Sequence, residues 1–247
     1  MSDDKTMLRA PAGSKSWREG FFSDYPRFEV TSKVASDIER LNYRYAHIIE
    51  RNRDILAGKR VLDIASHDAR FTLAALVGGG ASHVTGIEAR GNLIAHAAEN
   101  LKHYGITEDR FTLIEGDVFT RVHELPKGAI DTAMVLGFLY HTARQYELIS
   151  AISALGARSI IVDSNVLAKA ERPIILLQWE GTKHDAQIWD ASRAKVLSSM
   201  PSAMALTMIM EEFGYEVEKL VPNGPLPPTA AQYRTGGRVT LVGRKRT

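Results

Sequence analysis

The chain has no cysteine among its 247 residues, which excludes disulfides, thiolate zinc sites, iron–sulfur clusters and a cysteine nucleophile. Any chemistry must come from histidines, carboxylates, hydroxyls or a bound cofactor. A long apolar run is missing as well: nothing approaches the ~20 residues that span a bilayer. The polar start, acidic at Asp3 and Asp4, lacks the apolar core of a secretion signal. The expectation is a cytoplasmic protein with no membrane partner. An excess of one charge is also absent. Thirty-one Lys plus Arg against 29 Asp plus Glu leave a net +2, too balanced to point to a polyanion. A small-molecule substrate is favoured over nucleic acid.

What is present is an alternation of strand and helix patterns from about residue 35 onward, the mark of an α/β domain with a parallel sheet. Ile38, Leu41, Tyr45, Ile48 and Ile49 recur at helical spacing, with Ser36 as N-cap and Gly58 as stop. Strands are expected at 60–64, 83–87, 111–115, 130–136 and 159–162, with helices between them. A helix opened by Pro201 and ended by Gly214 then leads to strands at 215–220 and 238–242, a hairpin-like antiparallel edge. Residues 164–200 break the rhythm and are expected to be an insertion over the carboxyl edge of the sheet. Residues 1–35, with Trp17, Phe21, Phe22, Tyr25 and Phe28, form an aromatic arm that lies over a pocket or a partner subunit, or packs on its own domain. A homodimer is one way to bury it. Residues 36–247 make one domain.

The richest segment is Val61-Leu62-Asp63-Ile64-Ala65-Ser66-His67-Asp68-Ala69-Arg70-Phe71. An apolar strand ends in an acid and passes through small residues into a helix, so backbone can approach a nucleotide-like ligand at the sheet's carboxyl edge. This resembles the first motif of class I S-adenosylmethionine-dependent methyltransferases, acid-x-Gly-x-Gly-x-Gly, with Ala65, His67 and Ala69 in place of the glycines. Further matches are Gly86-Ile87-Glu88, Gly116-Asp117-Val118-Phe119 and the late Glu211-Glu212-Phe213-Gly214-Tyr215-Glu216-Val217. Together they cover roughly residues 36–243. The resemblance implies a Rossmann-like, seven-stranded, mostly parallel sheet with helices on both faces and an antiparallel C-terminal edge strand. It also implies S-adenosyl-L-methionine as cofactor. Asp63 would hold its ammonium, with Ala65, Ser66 and His67 in close approach. Glu88 would accept from the ribose hydroxyls, and Asp117 would meet the adenine amino group while Val118 covers the ring. Asp68 and Arg70 either cap the helix or pair with each other. A dinucleotide dehydrogenase would use the same ribose acid, but it would want G-x-G-x-x-G after the first strand.

In this fold the loop after the fourth strand, Leu136-Gly137-Phe138-Leu139-Tyr140-His141-Thr142, faces the transferable methyl. His141 is the candidate general base, with Leu136 on the cofactor and Tyr140 on the acceptor. Asp163 and Asn165 end the fifth strand, where they could orient His141 or bind a polar acceptor. They are similar to the Asp-Asn pair of metal-dependent catechol-type O-methyltransferases, although Ser164 separates them, so a divalent metal is a less favoured alternative. Trp179 and Trp189, with Gln178 and Glu180, could form a lid whose aromatic face stacks on the acceptor. The layout is similar to bacterial sugar O-methyltransferases, which implies methyl transfer to a hydroxyl of a small polar acceptor. Leu139-Tyr140-His141 also resembles enzymes that modify tRNA wobble uridines. A small-molecule N-methyltransferase and a non-catalytic binding module remain as further readings.

Overall fold

The computed structural model describes residues 17–30, 37–181 and 194–246. In chain order, the strands of the main sheet begin with β1 (Arg60–Ile64), β2 (His83–Glu88), β3 (Phe111–Glu115), β4 (Thr132–Leu136) and β5 (Ser159–Asn165). The irregular region after β5 holds a separate antiparallel ribbon, β6 (Ile175–Gly181) with β7 (Lys195–Pro201). The main sheet then closes with β8 (Tyr215–Lys219) and β9 (Arg238–Lys245). Its order is β3-β2-β1-β4-β5-β9-β8. β1 to β5 are parallel, and β9 inserts antiparallel to both β5 and β8. The seven-stranded, mostly parallel sheet and its antiparallel closing hairpin stand as expected.

Pleat alternation divides the buried strand residues between two cores, one per sheet face. Leu62, Ile64, Ile87, Val135, Ile160 and Val162 pack with the helices Val118–Glu124, Gln145–Ala154 and Ala203–Glu212. Val61, Val84, Met134, Ile161 and Val242 face the other way, onto the helical segments before β1 and the helix Gly91–His103. The helix Ile38–Arg44 starts one residue later than its spacing suggested: Asp37 caps it by accepting from Arg40 N at 3.1 Å. Pro201 ends β7, and the N-cap of the next helix is Ser202, whose hydroxyl accepts from Ala205 N. The described part of the aromatic arm packs on its own domain. Phe22 and Phe28 are fully buried in the second core, Phe21 stacks on Tyr45 at 4.2 Å, and Trp17 Nε1 donates to Pro225 O at 2.8 Å.

Because β1 to β5 are parallel, their last residues line one edge of the sheet. β9 runs the opposite way, so its first residues return to that same edge. The register sets Asp163 against Thr240 and Asn165 against Arg238. Residues two apart share a face, so these four side chains converge at the carboxyl edge, on the side covered by the helix Ile38–Arg44. No helix among the described residues is long and apolar enough to cross a membrane.

Candidate active site

The turn after β1 carries left-handed backbone at Ala65, His67 and Ala69, with φ of 54°, 54° and 66°. These are the three positions where the resembled motif has glycine. The backbone therefore adopts the shape that glycine would allow at no steric cost, although each of these residues pays to hold it. Two contacts fix the turn against β2: Ser66 N donates to Ile87 O at 3.0 Å, and His67 N donates to Glu88 Oε2 at 3.0 Å. Gly86 makes the approach possible. A Cβ there would meet Ser66 Oγ at 2.8 Å.

Glu88 is buried at the end of β2, its Oε1 accepting from both the backbone N and the Nε of Arg90 at 3.1 and 2.9 Å. The carboxylate is thus held in place beside the β1 turn. Asp63 is also buried and accepts from Thr72 Oγ1 at 2.7 Å. Burial, reinforced by the charges of Glu88 and Asp68, outweighs that bond and raises its carboxyl to about 7. Asp68 and Arg70 pair with each other, Arg70 Nη2 lying 2.6 Å from Asp68 Oδ2. Burial would raise the Asp68 carboxyl, but the adjacent His67 imidazole and the Arg70 guanidinium hold it well below the usual range. Asp117 caps the helix Val118–Glu124 by accepting from Phe119 N at 3.2 Å, with Val118 buried behind it.

At the end of β4, Leu136 is half-buried and Gly137 turns the chain with φ 85° into the short helical turn Leu139–His141. His141 Nδ1 lies 2.9 Å from Glu180 Oε1 on β6, and the two side chains are only 15% and 25% exposed. A carboxylate on Nδ1 selects the tautomer with a hydrogen there, leaving Nε2 as the lone-pair nitrogen. Burial lowers the pKa of the imidazole, and the nearby Glu180 carboxylate only partly offsets that, with Arg238 and Arg90 adding to the lowering. The ring is therefore neutral and able to accept a proton at neutral pH. The ribbon that supplies Glu180 is fastened to the same turn: Gln145 Nε2 reaches Leu139 O and Ser199 Oγ at 2.7 and 2.6 Å, and Ser199 Oγ donates to Thr142 O at 2.8 Å.

Two expectations for this end of the site are corrected. Asp163 does not orient His141. It is fully buried in a cluster with Arg44 and Arg238, which donate to its Oδ1, and with Tyr233 and Thr240, which donate to its Oδ2 at 2.6 and 2.9 Å. Burial alone would raise its carboxyl, but the two guanidiniums hold it well below the usual range. Asn165 accepts from Arg238 Nη1 at 2.9 Å. Trp179, expected to stack on the acceptor, does not share a ribbon face with Glu180 either. Strand alternation puts it on the ribbon face opposite its neighbour Glu180, and it is 70% exposed. Trp189 lies outside the described residues. Tyr140 stays near the turn, its ring 4.1 Å from that of His141. Among the described residues no group of three or more His, Asp or Glu side chains is placed to hold a metal ion.

No family model and no curated protein matches the chain. Solved structures do match. The N-terminal domain of EvdMO1, in the presence of SAH and D-fucose, superposes with a TM-score of 0.59 at 19% identity over 79% of this chain and 80% of that one. A geranyl diphosphate C-methyltransferase from Streptomyces coelicolor A3(2), in complex with Mg2+, geranyl diphosphate and S-adenosyl-L-homocysteine, gives 0.57 at 16% identity over 89% and 82%. The [4+2]-cyclase SpnF gives 0.56 at 16% identity over 80% and 82%. The last shows that this fold alone does not dictate the reaction. The sheet order, the left-handed turn after β1 and these superpositions agree that the chain has the class I methyltransferase fold.

Proposed function

We propose that the protein is an S-adenosyl-L-methionine-dependent methyltransferase acting on a hydroxyl of a small polar acceptor, preferably a sugar, with His141 as general base. The observation that carries this reading is the His141–Glu180 pair at the end of β4, set beside a β1 turn of glycine-motif shape and the fixed carboxylate of Glu88. The bound cofactor would be held by Glu88 at its ribose hydroxyls, by Asp63 at its ammonium and by Val118 at its base. When bound, that cofactor would supply an electrophilic sulfonium methyl for transfer to the acceptor oxygen, with a neutral thioether as the leaving group. His141 Nε2 takes the hydroxyl proton in the same step, and Glu180 stabilises the imidazolium that results. The turn Leu139–His141 and the ribbon hold the base in place, so positioning contributes along with proton transfer.

Titration calorimetry with S-adenosylhomocysteine and turnover with labelled cofactor over sugars, phenols, amines and tRNA test this. Glu88→Ala weakens S-adenosylhomocysteine binding by more than about tenfold, as expected for loss of charge-assisted hydrogen bonds. His141→Ala leaves that affinity intact but lowers turnover by about a hundredfold or more. Unchanged affinity in the first variant removes the ribose role. Normal turnover in the second removes the base.

A further inference from the structure

Asp163 is the carboxylate in a buried region that contains more than one cation. Arg44, 7% exposed, and Arg238, 2% exposed, both donate to it. Arg40 stands half-buried on the same helix as Arg44, and no hydrogen bond or ion pair of its guanidinium is found among the described residues. Its pKa is lowered by burial and then by the like charges of Arg44 and Arg238. Arg44 Nε is buried without a hydrogen-bond partner. Arg44 and Arg238 thus share one buried carboxylate, with Arg40 one turn before Arg44 on the same helix, where charge is costly to leave uncompensated. The other side chains at the cluster do not neutralise it. Tyr233 and Thr240 are hydrogen-bond donors to Asp163, Asn165 is an amide, and burial lowers His47 to about 4, so it is neutral.

The cluster lies at the acceptor end of the site. Arg238 Nη2 is 3.5 Å, and Tyr140 Oη 3.8 Å, from the point where a Cβ on Gly137 would sit. Gly137 opens the turn that carries His141, and Arg238 is close enough to help lower the His141 pKa. On its other side, Arg44 lies over the Phe71 ring, 4.7 Å from its centroid, in the helix that follows the β1 turn. The excess positive charge therefore borders both halves of the proposed site.

We infer that the acceptor carries an anionic group, a carboxylate or a phosphate, which seats on Arg40 and Arg44 with Arg238 behind them while its hydroxyl meets His141. This rests on the methyltransferase reading above and narrows its substrate to acidic or phosphorylated sugars. Arginine is suited to this because its planar fork pairs with two oxygens at once. Asp163 then acts as a positioning residue that holds Arg44 and Arg238 in place.

The test uses D-glucuronate, D-glucose 6-phosphate and D-glucose in two readouts, thermal shift and turnover with labelled cofactor. Wild-type protein is expected to be stabilised by one or both anions and not by glucose, and to use the same anion with a kcat/KM at least tenfold above glucose. Glucuronate and glucose 6-phosphate separate the carboxylate from the phosphate. Arg40→Gln and Arg44→Gln should raise KM for the anionic acceptor tenfold or more and abolish its thermal shift, with S-adenosylhomocysteine affinity unchanged. Equal stabilisation and equal turnover with glucose overturn the inference, as do glutamine variants that weaken S-adenosylhomocysteine but leave acceptor preference intact. The latter result assigns the arginines to the carboxylate of the cofactor. A wild-type protein that fails to bind S-adenosylhomocysteine overturns the methyltransferase reading instead, and the thermal shift without cofactor still decides whether the anion site exists.

Discussion

Ala69 begins the helix after the β1 turn with φ 66° and no exposed surface. A residue with a Cβ pays about 1–2 kcal/mol for that conformation, and a glycine there returns part of the gain as extra freedom in the unfolded chain. Ala69→Gly is therefore expected to stabilise the protein by up to about 1 kcal/mol, read as a higher denaturation midpoint at unchanged slope. Asp63 gives a pH-dependent prediction. Its folded carboxyl lies near 7 against about 4 in an unfolded chain, so the folded state binds the proton more tightly. The stability this contributes is complete below pH 4 and is lost as pH rises through 7. Asp63→Asn keeps an acceptor for Thr72 and removes the buried charge. It should match wild type near pH 4 and exceed it at pH 8, by up to about 4 kcal/mol, in denaturant titrations at the two pH values. Asp63 and Glu88 could be located from the sequence because each is an acid ending an apolar strand. The glycine positions were harder to read, since Ala65, His67 and Ala69 keep the torsion angles of the motif without its letters.

At the scale of elements, the site depends on the ribbon. Residues 164–200 could be recognised as an interruption of the α/β rhythm, but no periodicity in them announced β6 and β7. Glu180 is 39 residues from His141 in the chain, and the pair forms only because Ser199 and Gln145 fasten β7 to the turn after β4. The arginine cluster was hidden for a similar reason. Arg238 reaches Asp163 through antiparallel register, and Arg44 comes from a helix before the sheet begins. Glu180→Gln keeps the hydrogen bond to Nδ1 but removes the charge that raises the His141 pKa. The imidazole becomes a weaker base, so turnover falls by about tenfold. The acid limb of the kcat/KM profile moves to lower pH, while S-adenosylhomocysteine affinity holds. A limb that stays in place would separate Glu180 from His141 in function.

For the whole molecule, the parallel sheet and its order were legible because each βα unit carries its own local pattern of apolar strand, turn and amphipathic helix. The near-neutral net charge, by contrast, conceals how unevenly charge is distributed: two guanidiniums share a buried corner with one carboxylate, and that of Arg40 stands half-buried nearby. That corner is built from residues 44, 163, 233, 238 and 240, which span most of the chain, whereas the β1 turn and Glu88 lie within 60–88. During synthesis the two halves of the site therefore cannot mature together. The β1–β2 segment leaves the ribosome early, while Arg44 and Asp163 wait for the last strand to emerge before their cluster can close. A nascent chain stalled before Arg238 therefore lacks the second guanidinium that joins Arg44 at Asp163.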